Sequence, residues 1–199
     1  LLRGKGTLHD RGTHVPLLIR WPGHVAPHSK SSALVCGTDL GPTILEACGM
    51  KPAGGMTGKS FVGELTGKKP IDRRYVFAER GWHFGPITRT DGLDFSRSIT
   101  STRYRYIYNA LPERSYTPVD MADKDAWRAI QQAQTAGRLS PLHQRLYFQK
   151  PRPMTELYDL QNDPFELRNL SGNTSTAETE DSLRKALEVW MIHESDFLP

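Results

Sequence analysis

Gly4-Lys5-Gly6-Thr7-Leu8-His9-Asp10-Arg11-Gly12-Thr13-His14-Val15-Pro16-Leu17-Leu18-Ile19, closed by Trp21-Pro22-Gly23, is the stretch whose reading decides the fold. Gly4, Gly6 and Gly12 punctuate a loop. The apolar run from Val15 to Ile19, bounded by Gly and Pro, predicts a strand buried on both faces, as in a parallel sheet. Lys5 stands between two glycines, where missing side chains let backbone and ligand approach closely. A lysine in such a loop is ordinarily solvated, so its meaning depends on what surrounds it.

Downstream, Thr38 or Asp39 caps a helix whose apolar positions Leu40, Ile44, Leu45 and Cys48 recur at helical spacing and which ends at Gly49. Residues 50–72, rich in Gly, Lys and Pro, read as a surface connection. A second composition begins near Tyr75. Tyr75-Val76-Phe77-Ala78, Ser98-Ile99-Thr100-Ser101 and Tyr104-Arg105-Tyr106-Ile107-Tyr108 are short β-branched or aromatic runs, which predict a small antiparallel sheet. Ala122 to Ala136 predicts a helix with Trp127 and Ile130 inward, and the Pro-rich stretch up to Pro153 reads as irregular. Thr155 to Leu160 gives one more strand, with a turn at Asn162-Asp163-Pro164. Leu183, Leu187, Trp190 and Met191 then fall on one face of a C-terminal helix that should cover the sheet.

The 199 residues hold one good-sized core or two small ones. Hydrophobic content of 37% and charged content of 24% are those of an ordinary globular chain. No segment approaches the roughly 20 apolar residues that span a bilayer, so no membrane span is expected. Leu1 to Asp10 has neither the apolar stretch nor the small-residue site of a signal peptide. The formal charge of +4 is a mild bias that suits a polyanionic partner and equally a solvated surface. With no RNA-binding aromatic signature, zinc-finger spacing or basic helix, no nucleic-acid partner is expected. Cys36 and Cys48 lack metal-site spacing and read as small buried hydrophobes, a single disulfide remaining open. His9, Asp10 and His14 lie on a loop rather than one helix face, so the expected metal sites within this chain are none. Asn169-Leu170-Ser171 and Asn173-Thr174-Ser175 fit the glycosylation sequon.

The Gly4-Lys5-Gly6-Thr7 segment, leading through a Gly turn into an apolar run ending in Trp21-Pro22-Gly23, resembles the sulfatase family of the alkaline-phosphatase-like superfamily. The likeness continues in Thr38-Asp39-Leu40-Gly41-Pro42-Thr43-Ile44-Leu45, in Gly58-Lys59-Ser60, in Glu156-Leu157-Tyr158-Asp159-Leu160, and in Asp163-Pro164-Phe165-Glu166-Leu167-Arg168-Asn169-Leu170. It implies an α/β chain corresponding to the C-terminal part of the sulfatase fold, with a small antiparallel sheet packed by a C-terminal helix. Residues 1–72 would end the catalytic α/β domain, and residues 73–199 would form a C-terminal subdomain.

Cleaving a sulfate ester moves negative charge onto the nonbridging oxygens and the departing atom, and a preorganised ammonium stabilises that charge. The resemblance gives this role to Lys5. It also implies a formylglycine nucleophile, made from the first residue of Cys/Ser-x-Pro-Ser-Arg, and calcium. Cys36-Gly37-Thr38 and Cys48-Gly49-Met50 do not match that motif, and no cofactor is expected within this chain. The expectation is a fragment, inactive alone, whose partners are the N-terminal catalytic portion of the same enzyme and a sulfated carbohydrate. Periplasmic, extracellular or lysosomal localisation follows from the same resemblance.

The second half is similar to the heparan N-sulfatase branch, through Phe77-Ala78-Glu79-Arg80-Gly81-Trp82-His83, Arg97-Ser98-Ile99, Arg103-Tyr104-Arg105 and the tail from Trp190 to Asp196. That branch can carry Arg where this chain has Lys5. Arg80 and His83 become candidates for substrate contact, the first as a bidentate fork for sulfate or carboxylate, the second as a partner for a hydroxyl or sulfamate nitrogen. His14 is expected to order the turn near Lys5, with direct contact to the substrate as the alternative role. Two competing readings are a phosphoesterase or phosphonate hydrolase on the same scaffold and a noncatalytic carbohydrate-binding module.

Overall fold

Strand register divides the sheet into an apolar face and a polar one, and this division positions the site. The computed structural model describes residues 3–82, 93–116 and 122–196. The chain forms two compact units, Leu1–Val15 with Phe77–Pro199, and Pro16–Val76.

The sheet of the first unit has β1 (Val76–Trp82, in this unit from Phe77 on), β2 (Leu93–Thr100), β3 (Tyr104–Asn109) and β4 (Thr155–Asp159) side by side in that order. The pairs β2–β3 and β3–β4 are antiparallel. Ile99 lies opposite Tyr106, and Tyr106 opposite Leu157; the next row is Ser98, Ile107 and Glu156. Because side chains alternate along a strand, adjacent rows point to opposite faces. The first row is fully buried and apolar. It faces α6 (Ala177–His193), whose Leu183 and Leu187, one turn apart, are both buried. Phe77 stacks on Trp190 with ring centroids 4.9 Å apart, and just past the helix Asp196 accepts from Arg97 Nη2 at 2.6 Å. The expected C-terminal helix over a small antiparallel sheet is therefore present.

The opposite face carries Ser96, Asn109, Glu156, Arg105 and Tyr158. On this face Ile107 and Tyr158 form an apolar patch that receives Leu8 from the N-terminal segment. Everything else on this face must be matched by polar partners.

The helix expected over 122–136 spans Asp125–Thr135 (α4), with Trp127 buried and Ile130 half-buried. The stretch read as irregular contains a further helix, α5 (Pro141–Phe148). Ser140 caps it, accepting from His143 N at 3.3 Å, and Pro141 occupies the first turn, where its missing N–H costs nothing. Trp127 stacks on Phe148 at 5.6 Å and meets Tyr147 and Tyr116 edge-on or tilted at 6.1 and 6.4 Å.

The second unit holds a 3-10 turn (Gly37–Asp39), α2 (Leu40–Ala47) and α3 (Val62–Leu65). Its centre is polar. The buried Asp39 carboxylate accepts from Cys36 N at 2.7 Å, Lys59 N at 2.8 Å and Arg73 Nη2 at 2.7 Å. Thr43 Oγ1 donates to Asp39 O at 2.6 Å and accepts from Phe61 N at 3.1 Å. A Cβ on Gly58 would lie 2.1 Å from Thr38 O, so only glycine lets Lys59 N reach Asp39.

Three expectations are corrected here. Val15 to Ile19 forms no strand: among the described residues no strand lies beside it to take its amides, and Leu18 is 93% exposed. The helix after Asp39 forms, but it turns Pro42 and Thr43 inward and leaves Ile44 61% exposed, because the Asp39–Thr43 hydrogen bonds choose the inner face. Cys48 is exposed and Cys36 half-buried, and both are free thiols rather than buried hydrophobes.

Candidate functional site

The segment from Arg3 to His14 lies along the polar face of the sheet and carries Lys5. Thr7 closes a tight turn around it, donating from N to Gly4 O at 3.0 Å and from Oγ1 to the same oxygen at 2.8 Å. Gly6 has φ +81°, a conformation that favours glycine. Gly12, in α1 (Asp10–Thr13), packs directly on this turn: a Cβ there would sit 2.2 Å from Thr7 O and 2.6 Å from Gly4 O. Lys5 is exposed on the turn, while Gly4 and Thr7 are buried.

Both flanks of the turn are tied to Glu166. Its Oε2 accepts from Asp10 N at 2.8 Å, and its backbone oxygen accepts from Arg3 Nη1 at 2.8 Å. Arg105, on β3, bridges the assembly: Nη1 donates to Glu166 Oε1 at 2.9 Å and Nη2 to Asp10 Oδ1 at 3.2 Å. The Arg105 and Glu166 side chains are each 3% exposed, so this ion pair is dry. His14 Nδ1 lies 3.3 Å from Asp10 Oδ2, with the ring otherwise in solvent. His14 and Arg105 thus share the Asp10 carboxylate just beyond the lysine turn.

Arg80 is placed elsewhere. Its side chain is 11% exposed and lines a cavity of about 90 Å³ together with His9, Asp94, Tyr116, Arg152 and Glu156. Asp94 Oδ2 lies 3.3 Å from Arg80 Nη1, and Arg152 grips the same carboxylate at 2.7 and 3.2 Å. Burial lowers the Arg80 pKa below the ordinary guanidinium value, with Asp94 opposing the shift. Across the cavity, Glu156 accepts from Asn109 Nδ2 at 2.7 Å and from the Tyr158 hydroxyl, with His9 Nε2 3.6 Å away. Burial alone would raise the Glu156 pKa, but His9, Tyr158 and Asn109 outweigh it and bring it down to about 2. The same burial raises the pKa of Tyr116 and of Tyr158, whose hydroxyl is the donor to Glu156.

Lys5 and His14 are therefore brought onto one segment, and Arg80 lines the cavity beneath it with His9. His83 lies outside the described residues. Among the described residues no group of three or more His, Cys, Asp or Glu is arranged to hold a metal, and no helix is long and apolar enough to cross a membrane. Of the imagined trio, His9 faces Glu156 while Asp10 serves Arg105 and His14. Arg3, Arg105, Glu156 and Glu166 join the site without a motif of their own that marks a role. The signal was present in Arg105 and Asn109, polar residues on the same side of a strand otherwise rich in Tyr and Ile.

A four-stranded sheet closed by a terminal helix, with a lysine-bearing turn on its polar face, is the C-terminal portion of the sulfatase α/β fold. The chain belongs to the family described as N-sulphoglucosamine sulphohydrolase, C-terminal, which residues 3–146 match. Two ulvan-active sulfatases of Formosa agariphila are 31% and 33% identical to it over 96% and 98% of its length, covering 31% and 36% of their own. The chain spans about a third of the length of these curated relatives. Among solved structures, a phosphonate monoester hydrolase from Silicibacter pomeroyi superposes with TM-score 0.59 at 21% identity, over 96% of this chain and 31% of that one. A protein solved with its substrate D-glucosamine-2-N,6-O-disulfate gives 0.58 at 19% identity, over 90% and 28%. These two share the fold.

Proposed function

We propose that this chain is the C-terminal portion of an enzyme that hydrolyses sulfate esters or sulfamates of sulfated sugars, with Lys5 donating to the sulfate. The observation that carries the proposal is the Lys5 turn: an exposed ammonium on a segment whose two flanks are hydrogen-bonded to one buried carboxylate residue. Tying both flanks preorganises the backbone that carries Lys5, and removing one charge-stabilising donor costs about 10²–10³ in kcat. Gly4 and Gly6 keep the approach to it free of side chains. His14, tethered to Asp10, holds the far end of the segment, and Arg80 and His83 contribute to substrate contact, Arg80 from within the cavity wall.

Heparan-type N-sulfoglucosamine is the favoured sugar, supported by the family match; the relatives named for ulvan support a sulfated polysaccharide more broadly. The formylglycine nucleophile and the calcium are assigned to residues outside this chain. Neither Cys36 nor Cys48 stands in the x-Pro-Ser-Arg context, and the described residues offer no metal cluster. When present, those groups supply the attacking oxygen and hold the sulfate; this chain alone would not turn over. A location where polysaccharide is available, periplasmic, extracellular or lysosomal, fits that substrate.

The test is sulfate release by the full-length enzyme from N-sulfoglucosamine, glucosamine 6-sulfate and ulvan oligosaccharides, with and without Lys5→Ala. Turnover of at least one substrate, lost by about 10²–10³ in the variant, is expected. Wild-type kcat in Lys5→Ala, or a wild-type enzyme that cleaves a phosphonate monoester and no sulfated sugar, overturns the proposal.

A further inference from the structure

We infer that Glu166 is a positioning residue for Lys5, acting through Arg3, Asp10 and Arg105; the inference rests on the role given to Lys5 above. Glu166 uses three acceptor atoms on the lysine segment and its support. Oε2 takes the Asp10 amide, Oε1 takes Arg105, and the backbone oxygen takes Arg3. Arg3 precedes Lys5 by two residues and Asp10 follows it by five, so one residue from a distant turn clamps both ends of the lysine loop. Leu8 is pinned between them against Ile107 and Tyr158.

The backbone at Glu166 shows that the side chain is kept for its carboxylate. Its φ is +54°, in the left-handed region where Gly or Asn sits with least strain. The turn itself is closed by Glu166 N donating to Asp163 O at 2.9 Å, a bond that glycine would make equally well. A buried glutamate in that conformation is explained by what it accepts, not by what the turn requires. An amide cannot replace it. Asp10 N and Arg105 Nη1 are both donors, so either orientation of glutamine sets its NH₂ against one of them. The lysine segment then loses one anchor, and misplacement of a charge-stabilising group by about 1 Å costs on the order of 10²-fold in rate.

The experiment is a cycle in the full-length enzyme, with Glu166→Gln made in the wild-type and in the Lys5→Ala backgrounds. In the wild-type background kcat should fall by about 10- to 10²-fold with KM changed less than about threefold, since the interaction with developing charge is lost while substrate binding is kept. In the Lys5→Ala background, Glu166→Gln should cause no further loss. Glu166→Asp keeps the charge and withdraws both oxygens by one methylene; it should give a smaller kcat defect that also vanishes without Lys5, and it carries the test if Glu166→Gln does not fold. Equal losses in both backgrounds, or a lower melting temperature with unchanged kcat, overturns the inference. Full activity in Lys5→Ala itself removes the functional reading instead, and the two failures are therefore distinct.

Discussion

Asp94 on β2 takes both Nη atoms of Arg152, at 2.7 and 3.2 Å, while Arg80 from β1 approaches the same carboxylate at 3.3 Å. Two guanidinium groups share one anion inside a cavity, and all three side chains are nearly out of solvent. Removing one member of a buried pair leaves uncompensated charge and costs about 3–5 kcal/mol. Asp94→Asn should therefore destabilise the protein by about that amount, far more than Asp125→Asn, whose pair with Arg128 is exposed and worth about 0–1 kcal/mol. Urea unfolding of the two variants compares them; equal midpoints would show that Arg80 and Arg152 do not depend on Asp94.

Glu156 gives the cavity an acid dependence. Its folded pKa lies near 2, below the ordinary value of 4.5, so the folded state binds fewer protons than the unfolded chain between those limits. Its contribution to stability is fully present above about pH 4.5 and is lost as the pH falls towards 2. Asp159 adds to the same slope. Arg103 is the main cause of its shift, opposed by burial and assisted by Asn162, and its pKa also falls to about 2. Glu156→Gln should melt below wild type at neutral pH, and the gap should narrow as the pH drops through this window. A gap that is constant from neutral pH to pH 2 would refute the assignment.

What could be read in the sequence was what depends on local pattern. Tyr104 to Tyr108 announces itself as a strand because its neighbours on both sides pair with it inside this chain. Leu183 and Leu187 mark the covering helix because the sheet they meet is also present. Val15 to Ile19 has the same apolar signal, but no neighbour among the described residues completes a ladder, and pattern alone does not reveal that. The helix at Pro141 is hidden in a Pro-rich stretch because proline commonly ends helices, whereas Ser140-Pro141 starts this one. At the candidate site, the glycines around Lys5 mark its turn in the sequence. Glu166 has no such mark, because its significance comes from Asp10 and Arg105, which are 156 and 61 residues away in sequence.

Trp127 organises the packing between α4 and α5. It is buried, stacked on Phe148 at 5.6 Å and edge-on to Tyr147. Such pairs add about 0.5–1.5 kcal/mol beyond area burial, and Trp→Ala in a core costs about 3–5 kcal/mol. Trp127→Ala should lower stability by that range in denaturant unfolding, whereas Trp127→Phe should recover most of it. Unchanged stability would mean that α4 packs through other residues.

Gly12 offers the sharpest steric test of the lysine turn. A methyl group at this position would lie 2.2 Å from Thr7 O, 2.6 Å from Gly4 O and 2.9 Å from Thr7 Oγ1, and two of these three atoms are backbone. Backbone yields less readily than the end of a side chain, so the turn holding Lys5 must move away from α1. Overpacking of this kind costs about 1–3 kcal/mol, and the displaced atoms are those that set the position of the ammonium. Gly12→Ala should therefore lower the melting temperature and also reduce kcat in the full-length enzyme by about 10-fold or more, since small displacements of charge-stabilising groups are amplified in rate. Gly23→Ala is the matched control: its Cβ would meet nothing within 4 Å, so its φ of +80° adds backbone strain without a clash. It should lower stability and leave kcat near wild type. Wild-type kcat in Gly12→Ala, with the protein folded, would show that the lysine reaches its place whatever the conformation of the turn.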